Sequence, residues 1–186
     1  ILQGKQTQKV LAFYKPVGVT CTERDPHAEK KIMDMIRYPE RLTYAGRLDK
    51  DSEGLILLTN DGDLINAMMR GANRHEKEYI VKTDREITPD FLEKMAKGIY
   101  LKDLDITTRE CEIEQIGKFT FRIVLTQGVN RQIRRMCEAC GYRVKALKRI
   151  RIMNILLGDL KPGKWREVTG EELEQLQRDT GMLNRN

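Results

Sequence analysis

Residues 46–64, with the sequence GRLDKDSEGLILLTNDGDL, contain an acidic loop, an apolar run and the beginning of an amphipathic stretch. The apolar run at 55–59 predicts a strand that is buried on both faces, because no charged residue interrupts it. Asn60, Asp61 and Asp63 then supply a cap and an acidic first turn for a helix that continues to Met69. The stretch therefore places its carboxylates immediately before a buried strand and a helix.

Turn signals and hydrophobic periodicity divide the rest of the chain into further elements. Strands are predicted at 9–14, 79–83, 107–115, 118–127 and 144–157, and the third and fourth of these form a β-hairpin. Helices are predicted at 30–37, after Thr88, at 131–140 with Asn130 as the cap, and after a capping box at 169–172. Because strands and helices do not alternate regularly, we expect an α+β fold with a mixed, mostly antiparallel sheet and flanking helices.

The positive charge of the chain is concentrated in one segment. The 186 residues include 34 Lys and Arg against 28 Asp and Glu, a net charge of +6. Residues 131–151 contain eight basic residues and one acid, Glu138, a net of +7, so the remainder is close to neutral. Such a segment is typical of a surface that binds a polyanion, and a solvated charged face is the alternative.

Composition excludes several other classes of protein. Apolar stretches such as 55–58 are far too short to cross a bilayer, and no apolar signal segment lies near the N-terminus, which favours a cytoplasmic protein. Four cysteines in a chain of this length do not make a disulfide scaffold. Cys137 and Cys140 form a C-x-x-C pair, for which core packing is favoured over a redox or metal site.

Known acidic motifs do not explain the carboxylates Asp49, Asp51 and Glu53. A calcium loop that begins at Asp49 needs a glutamate at its twelfth position, where this chain has Asn60. A glycosidase needs a second acid in an apolar setting, which no other segment clearly supplies. The zinc-protease signature and the glycine-rich phosphate-binding motifs are absent from the sequence. Taken alone, the loop is a solvated acidic turn.

Several motifs do occur in the order and spacing of one family. They are the stretch at 46–64, HEKEY at 75–79, QGVNRQIRRMCEACGY at 127–142, KPVG at 15–18 and RIRIMN at 149–154. In these motifs, which span nearly the whole chain, the sequence resembles the pseudouridine synthases of the RsuA branch, most closely those of the RluF type. The resemblance implies the pseudouridine synthase fold with a central catalytic cleft, and an isomerase acting on uridine in RNA without a cofactor or a metal ion.

The resemblance also assigns roles to single residues. The family's catalytic aspartate corresponds to Asp49, the tyrosine of its K-x-Y motif to Tyr79, and the arginine of its third motif to Arg134. Arg134 is expected to keep Asp49 ionised, and Tyr79 to stack on the uracil and move a proton. These residue types leave open whether Asp49 attacks the sugar or acts through a glycal intermediate.

Other residues are expected to bind the substrate. Arg47 is expected to fill the gap that a flipped nucleotide leaves in its stack, and Leu147 and Ile150 to wall the uracil pocket, with core packing as their alternative. The remaining basic residues of the charged segment are expected to bind RNA: Arg131, Arg135, Arg143, Lys145, Lys148, Arg149 and Arg151.

The resemblance further indicates the partner and the domain organisation. The expected partner is ribosomal RNA, with 23S favoured, while a transfer RNA or 16S target and a non-catalytic RNA-binding module of ribosome assembly are the alternatives. Residues 1–8 are expected to be the end of a linker from an S4 RNA-binding domain that this chain lacks, and 9–186 the catalytic domain. No exposed apolar stripe suggests a dimer, so we expect a monomer without an obligate protein partner.

Overall fold

One large sheet organises the molecule and draws strands from both ends of the chain. The computed structural model describes residues 7–21, 32–70 and 74–182. The strands are β1 (Val10–Lys15), β2 (Thr43–Tyr44), β3 (Glu53–Thr59), β4 (Lys77–Thr83), β5 (Tyr100–Leu101), β6 (Ile106–Thr107), β7 (Glu112–Gly117), β8 (Thr120–Leu125), β9 (Val144–Ile152), β10 (Ile155–Leu156) and β11 (Trp165–Glu167). The helices are α1 (Ile32–Met35), α2 (Gly62–Arg70), α3 (Pro89–Lys97), α4 (Gln132–Ala139) and α5 (Gly170–Asp179).

The strands follow one another across the sheet in the order β11-β1-β3-β9-β4-β8-β7, with β2 paired to β3 and β10 to β9. Paired strands are antiparallel except β3 and β9, which run parallel. The predicted α+β fold with a mixed, mostly antiparallel sheet is confirmed. Because β9 lies between β3 and β4, distant parts of the chain meet at the centre of the sheet.

The core consists of three hydrophobic clusters. Strand β1 is buried along its whole length, with Leu11 and Phe13 in one cluster and Val10, Ala12 and Tyr14 in another. This alternation is expected of a strand that is covered on both faces. The third cluster packs α3 and α4 against β4, β8 and β9.

The C-x-x-C pair belongs to the third cluster. Cys137 is fully buried there, and the partly buried Cys140 packs against it. Both are free thiols, and burial raises the pKa of Cys137 to about 12, so this thiol stays protonated at neutral pH. The core packing favoured from the sequence is confirmed.

The parallel contact between β3 and β9 requires a glycine. Gly54 has a φ of +114°, and a Cβ at this position would lie 2.2 Å from the carbonyl oxygen of Arg149. Glu53 and Gly54 pair with Lys148 and Arg149 of β9, so β3 begins two residues before the predicted apolar run. The close approach of the two backbones depends on the missing side chain.

Helix α4 does not begin as the sequence predicts. Its N-cap is Arg131, in the left-handed conformation with a φ of 51°, and the helix starts at Gln132. Asn130 therefore does not cap the helix. Its side-chain oxygen accepts a hydrogen bond from Arg135 at 3.4 Å instead.

The two other predicted caps have different outcomes. Thr88 caps α3 as predicted, since its hydroxyl accepts a hydrogen bond from the amide of Phe91 at 3.1 Å. The capping box of α5 is wrong, because the side chain of Thr169 makes no cap bond. The carboxylate of Glu172 is bound instead to Arg166, at 2.6 and 2.9 Å.

The remaining differences concern the extent of elements. The predicted hairpin is shorter in the structure, because residues 106–107 pair with β5 in a separate two-stranded sheet. The hydroxyl of Thr108 accepts a hydrogen bond from the amide of Ile99, which holds this sheet beside the end of α3. Residues 30–31 of the first predicted helix and 1–6 of the predicted linker lie outside the described residues. No helix within the described ranges is long and apolar enough to cross a membrane.

Candidate active site

A pocket of about 580 Å³ lies where the loop before β3 meets β4, β8, β9 and the start of α4. Its volume is within the range of roughly 300–1,000 Å³ that is usual for small-molecule sites. Asp49, Tyr79 and Arg134 line the pocket together with Arg47 and Leu147. The fold thus brings three separate sequence motifs to one cavity.

A buried lysine anchors the loop that carries Asp49. Lys15, the last residue of β1, has no exposed surface, and its Nζ donates to the carbonyl oxygens of Pro16 and Val19 at 2.7 Å. It also donates to the carbonyl oxygen of Lys50 at 3.4 Å. Since Lys50 follows Asp49 directly, this ammonium ties the acidic loop to β1, while the carbonyl oxygens compensate for its burial.

Asp49 forms its ion pair with Arg131. Nη1 of Arg131 lies 3.2 Å from Oδ2 of Asp49, and the same guanidinium binds both carboxylate oxygens of Asp51 at 3.2 and 3.0 Å. The expected contact between Arg134 and Asp49 is not formed. Arg131, the N-cap residue of α4, is the arginine next to Asp49.

Arg134 holds the loop a little further along. Its Nη2 donates to the backbone oxygen of Asp51 and to the hydroxyl of Ser52, both at 3.1 Å, and its Nη1 lies 3.5 Å from the Asp51 carboxylate. Arg131 and Arg134 are three residues apart, a spacing that brings side chains of a helix to the same side. The two arginines therefore bind one loop at neighbouring points.

These contacts set the electrostatics of the loop. The hydrogen bond from Arg131, assisted by the charge of Arg134, lowers the pKa of Asp51. The side chains of Asp49 and Arg131 are each 39% exposed, so their ion pair is open to solvent and to a ligand entering the pocket. The loop thus presents two carboxylates paired with Arg131, of which Asp49 lines the pocket.

Tyr79 and Arg47 both line the pocket. Tyr79 is half-buried on β4, and its register partners Ile123 and Arg149 share the face of the sheet that borders the pocket. Arg47 is exposed in the same loop as Asp49 and lines the pocket. Stacking by Tyr79 and gap filling by Arg47 stay predictions.

Of the two residues expected to wall the uracil pocket, only Leu147 lines the cavity. On β9, Arg149 pairs with Tyr79 and Arg151 with Glu78, so Ile150 is the extra residue of a β-bulge. Ile150 packs against the cluster formed with β1 and β3 and does not line the pocket. Ile150 therefore packs against the core, which is the alternative role that the sequence left open for it.

The basic segment is not one continuous surface. Arg149 is only 4% exposed, and its guanidinium donates to the carbonyl oxygens of Leu55 at 2.8 Å and Arg47 at 3.4 Å, so the expected contact with an RNA phosphate is wrong for this residue. Arg151 binds Glu76 and Glu78 at 3.0 and 2.8 Å.

The other members of the segment differ in exposure. Arg143 and Lys145 are exposed, whereas Lys148 is half-buried with its Nζ 5.6 Å from the centre of the Tyr14 ring. Arg135 is turned to Asn130, with its Nε donating to the backbone oxygen at 2.9 Å. RNA binding by these four residues stays a prediction.

Sequence reasoning missed the structural roles of three residues of the site. Lys15 anchors the acidic loop, Arg149 ties that loop to β3, and Lys77 lines the pocket. Lys15 and Lys77 are lysines of the KPVG and K-x-Y motifs, so a signal existed for both. Arg149 opens the RIRIMN motif, but no local pattern shows its burial, which follows from the position of β9 in the sheet.

Comparison with known proteins places these observations in a family. The model of the RNA pseudouridylate synthase family matches residues 9–139. The chain is 47% identical over 167 residues to the dual-specificity RNA pseudouridine synthase RluF of Escherichia coli (strain K12), which covers 90% of this chain and 57% of that protein. The chain therefore spans little more than half the length of this relative.

More distant relatives agree. An RNA pseudouridine synthase of Aquifex aeolicus is 36% identical, with 90% of this chain and 71% of that protein covered. The ribosomal large subunit pseudouridine synthase B of Vibrio cholerae is 34% identical, with 90% and 54% covered. A crystal structure of a pseudouridylate synthase superposes with a TM-score of 0.84 at 29% identity, over 91% of this chain and 74% of that one. The resemblance seen in the motifs is confirmed.

Proposed function

Since this chain belongs to the RNA pseudouridylate synthase family, we propose that it isomerises a uridine to pseudouridine in 23S ribosomal RNA, with Asp49 as the catalytic carboxylate. The observation that carries the proposal is the single pocket in which Asp49 meets Tyr79, Arg131 and Arg134. The Vibrio cholerae relative is named for the ribosomal large subunit and the Escherichia coli relative for dual specificity, so further RNA substrates are part of the test.

The isomerisation needs a carboxylate close to C1′ of the ribose, and Asp49 lines the pocket. The bond between C1′ of the ribose and N1 of uracil breaks, the uracil rotates, and C5 bonds to C1′ while C5 loses a proton and N1 gains one. No electrons are exchanged with another molecule. The Asp49 carboxylate stabilises or attacks the electron-poor C1′, and Arg131 binds this carboxylate at 3.2 Å among the residues that line the pocket.

The apolar and aromatic walls would retain the freed base. Tyr79 and Leu147 line the pocket on the face of the sheet that also carries Ile123. A uracil stacked on Tyr79 would stay in the cavity while its glycosidic bond is broken. Enzymes that act on a base within a stack flip the nucleotide into their pocket, so the target nucleotide would leave its stack and the exposed Arg47 would take its place.

The RNA backbone would be bound by the basic residues that remain accessible. Arg143 and Lys145 are exposed at the start of β9 and make no ion pair with a described residue. Each phosphate they neutralise would release counterions and add to the salt dependence of binding. This substrate would place the protein in the cytoplasm.

The decisive experiment is tritium release from uridine labelled at C5, because the isomerisation expels this hydrogen. Unmodified 23S, 16S and transfer RNA are incubated with the wild type, with Asp49→Asn, and with Asp159→Asn as an exposed-acid control. We expect release from 23S RNA by the wild type and the control, and a loss of at least about 1,000-fold in Asp49→Asn. Absence of release from all three RNAs would refute the enzymatic proposal, and release only from transfer or 16S RNA would reassign its substrate.

A further inference from the structure

One cation in the pocket has no partner in the described part of the protein. Lys77, the first residue of β4, lines the pocket and is half-buried. Its register partners, Leu125 on β8 and Ile152 on β9, are both apolar and buried. No hydrogen bond or ion pair joins the Lys77 ammonium to any residue in the described ranges, whereas buried Lys15 has three carbonyl acceptors.

The surroundings of Lys77 are electropositive. Burial lowers the pKa of this ammonium, and the neighbouring Arg149 lowers it further. Arg149 itself binds only the carbonyl oxygens of Leu55 and Arg47, and no described acid pairs with it. The acids Asp49 and Asp51 are engaged by Arg131 instead. One part of the pocket therefore holds carboxylates and another holds two cations without a carboxylate.

Such an arrangement opposes the stability of the fold. A desolvated ammonium without an acceptor is unfavourable, and an apolar side chain between Leu125 and Ile152 would suit this position better. Local conflicts of this kind are expected at functional sites, where a ligand supplies the missing partner. The ligand would have to be an acceptor or an anion that fits beside Tyr79.

We infer that Lys77 is a catalytic residue that donates a hydrogen bond to a carbonyl oxygen of the uracil and stabilises the uracil anion when the glycosidic bond breaks. This inference rests on the proposed function. When C1′–N1 cleaves, the electron pair stays on uracil and is delocalised over N1, O2 and O4, while Asp49 stabilises or attacks the electron-poor C1′. The ammonium of Lys77 offsets that negative charge until C5 bonds to C1′, and it keeps its own proton throughout.

Lys77 fits this role better than Arg149. The guanidinium of Arg149 is already tied to two carbonyl oxygens that position the acidic loop. The three N–H groups of the Lys77 ammonium have no acceptor in the described protein. A donor that is placed before the charge develops and needs no rearrangement is the arrangement that stabilises a transition state most.

The test compares Lys77→Met, which removes the charge at similar volume, with Lys77→Arg and with Lys82→Met. Lys82 lies on the same strand but is exposed and points to the other face, so it is a matched control. Tritium release is measured under single-turnover conditions, together with RNA affinity and thermal unfolding. We expect a loss of about 100–1,000-fold in rate for Lys77→Met, partial recovery in Lys77→Arg, RNA affinity within about twofold, and an unfolding temperature equal to or above that of the wild type.

A second substrate separates a catalytic from a structural role. In RNA with 5-fluorouridine at the target, the fluorine withdraws electrons and stabilises the uracil anion, so loss of the target nucleoside should be slowed less by Lys77→Met than with uridine. The inference would be overturned if the rate of Lys77→Met is within threefold of the wild-type rate. It would also be overturned if the variant loses the same factor in rate on both substrates and unfolds at a lower temperature than the wild type. If the wild type is active and Asp49→Asn is inactive, the proposed function stands whatever the result for Lys77. If the wild type is inactive on every RNA, the proposed function and the inference about Lys77 both fail.

Discussion

The two faces of β4, β8 and β9 use the same residue types in opposite ways. On the pocket face, Lys77 and Arg149 have no acid beside them. On the other face, Glu78 lies between Arg151, at 2.8 Å, and Arg122, at 3.5 Å. Further glutamates complete that second group, which consists of Glu76, Glu78, Glu112, Glu114, Arg122 and Arg151.

The difference separates charges that stabilise the fold from charges that serve a ligand. A cation surrounded by glutamates of its own sheet has its partners in the folded protein. A cation that faces a pocket without an acid gains its partner only when substrate enters. Adjacent residues of one strand, such as Lys77 and Glu78, can therefore have different functions, because successive side chains point to opposite faces.

The largest effect is expected at the parallel contact between β3 and β9. Gly54→Ala would place a Cβ 2.2 Å from the carbonyl oxygen of Arg149, and neither backbone can yield without opening the parallel pair. We expect a loss of about 4 kcal/mol in unfolding free energy, measured by urea unfolding. Gly62→Ala, with no neighbour within 4 Å and no positive φ, should change stability by less than about 1 kcal/mol. Equal effects of the two substitutions would contradict the close approach.

An intermediate effect is expected on the glutamate face. Glu78→Gln would remove the charge between Arg122 and Arg151, and since these side chains are 17–23% exposed, we expect a loss of about 2 kcal/mol in unfolding free energy. The rate of tritium release should not change, because Glu78 points away from the pocket. Glu93→Gln, which removes an exposed pair with Lys97, should cost less than about 0.5 kcal/mol. A stable Glu78→Gln variant with reduced activity would reverse the assignment of the two faces.

The smallest effect is expected at the acidic loop. Asp51 is about half exposed, so solvent screens its pairs with Arg131 and Arg134, and Asp51→Asn should reduce stability by less than about 1 kcal/mol at pH 7. The pKa of Asp51 is lowered from its ordinary value near 3.8. The contribution of this carboxylate is therefore fully present above that value and is lost as the pH falls through the lowered pKa.

Urea unfolding of the wild type and Asp51→Asn between pH 7 and pH 3 checks this prediction. The difference between the two proteins should be constant at the upper end of this range and shrink only at the acid end. The prediction would be contradicted if the difference in unfolding free energy grows on acidification or exceeds about 2 kcal/mol at pH 7.

Local patterns explain how much of the site could be predicted. The motifs identified Asp49, Tyr79 and Arg134, and all three line one pocket. The partner of Asp49 could not be predicted, because it depends on how the start of α4 lies against the acidic loop, which no local pattern shows. Nor could the position of Ile150, because a bulge that changes which residues share a face is a property of paired strands.

The sequence by itself determined the α+β class, the acidic loop before a buried strand, and the family motifs, because these depend on residues close together in the chain. It also determined the net charge of residues 131–151. Only the tertiary structure decided what each charge does. By placing β9 between β3 and β4, it buried Arg149, paired Arg151 with glutamates and left Lys77 facing the pocket. The physical reason is that a charge is stabilised or left unpaired by its neighbours in space, and those neighbours come from strands distant in sequence.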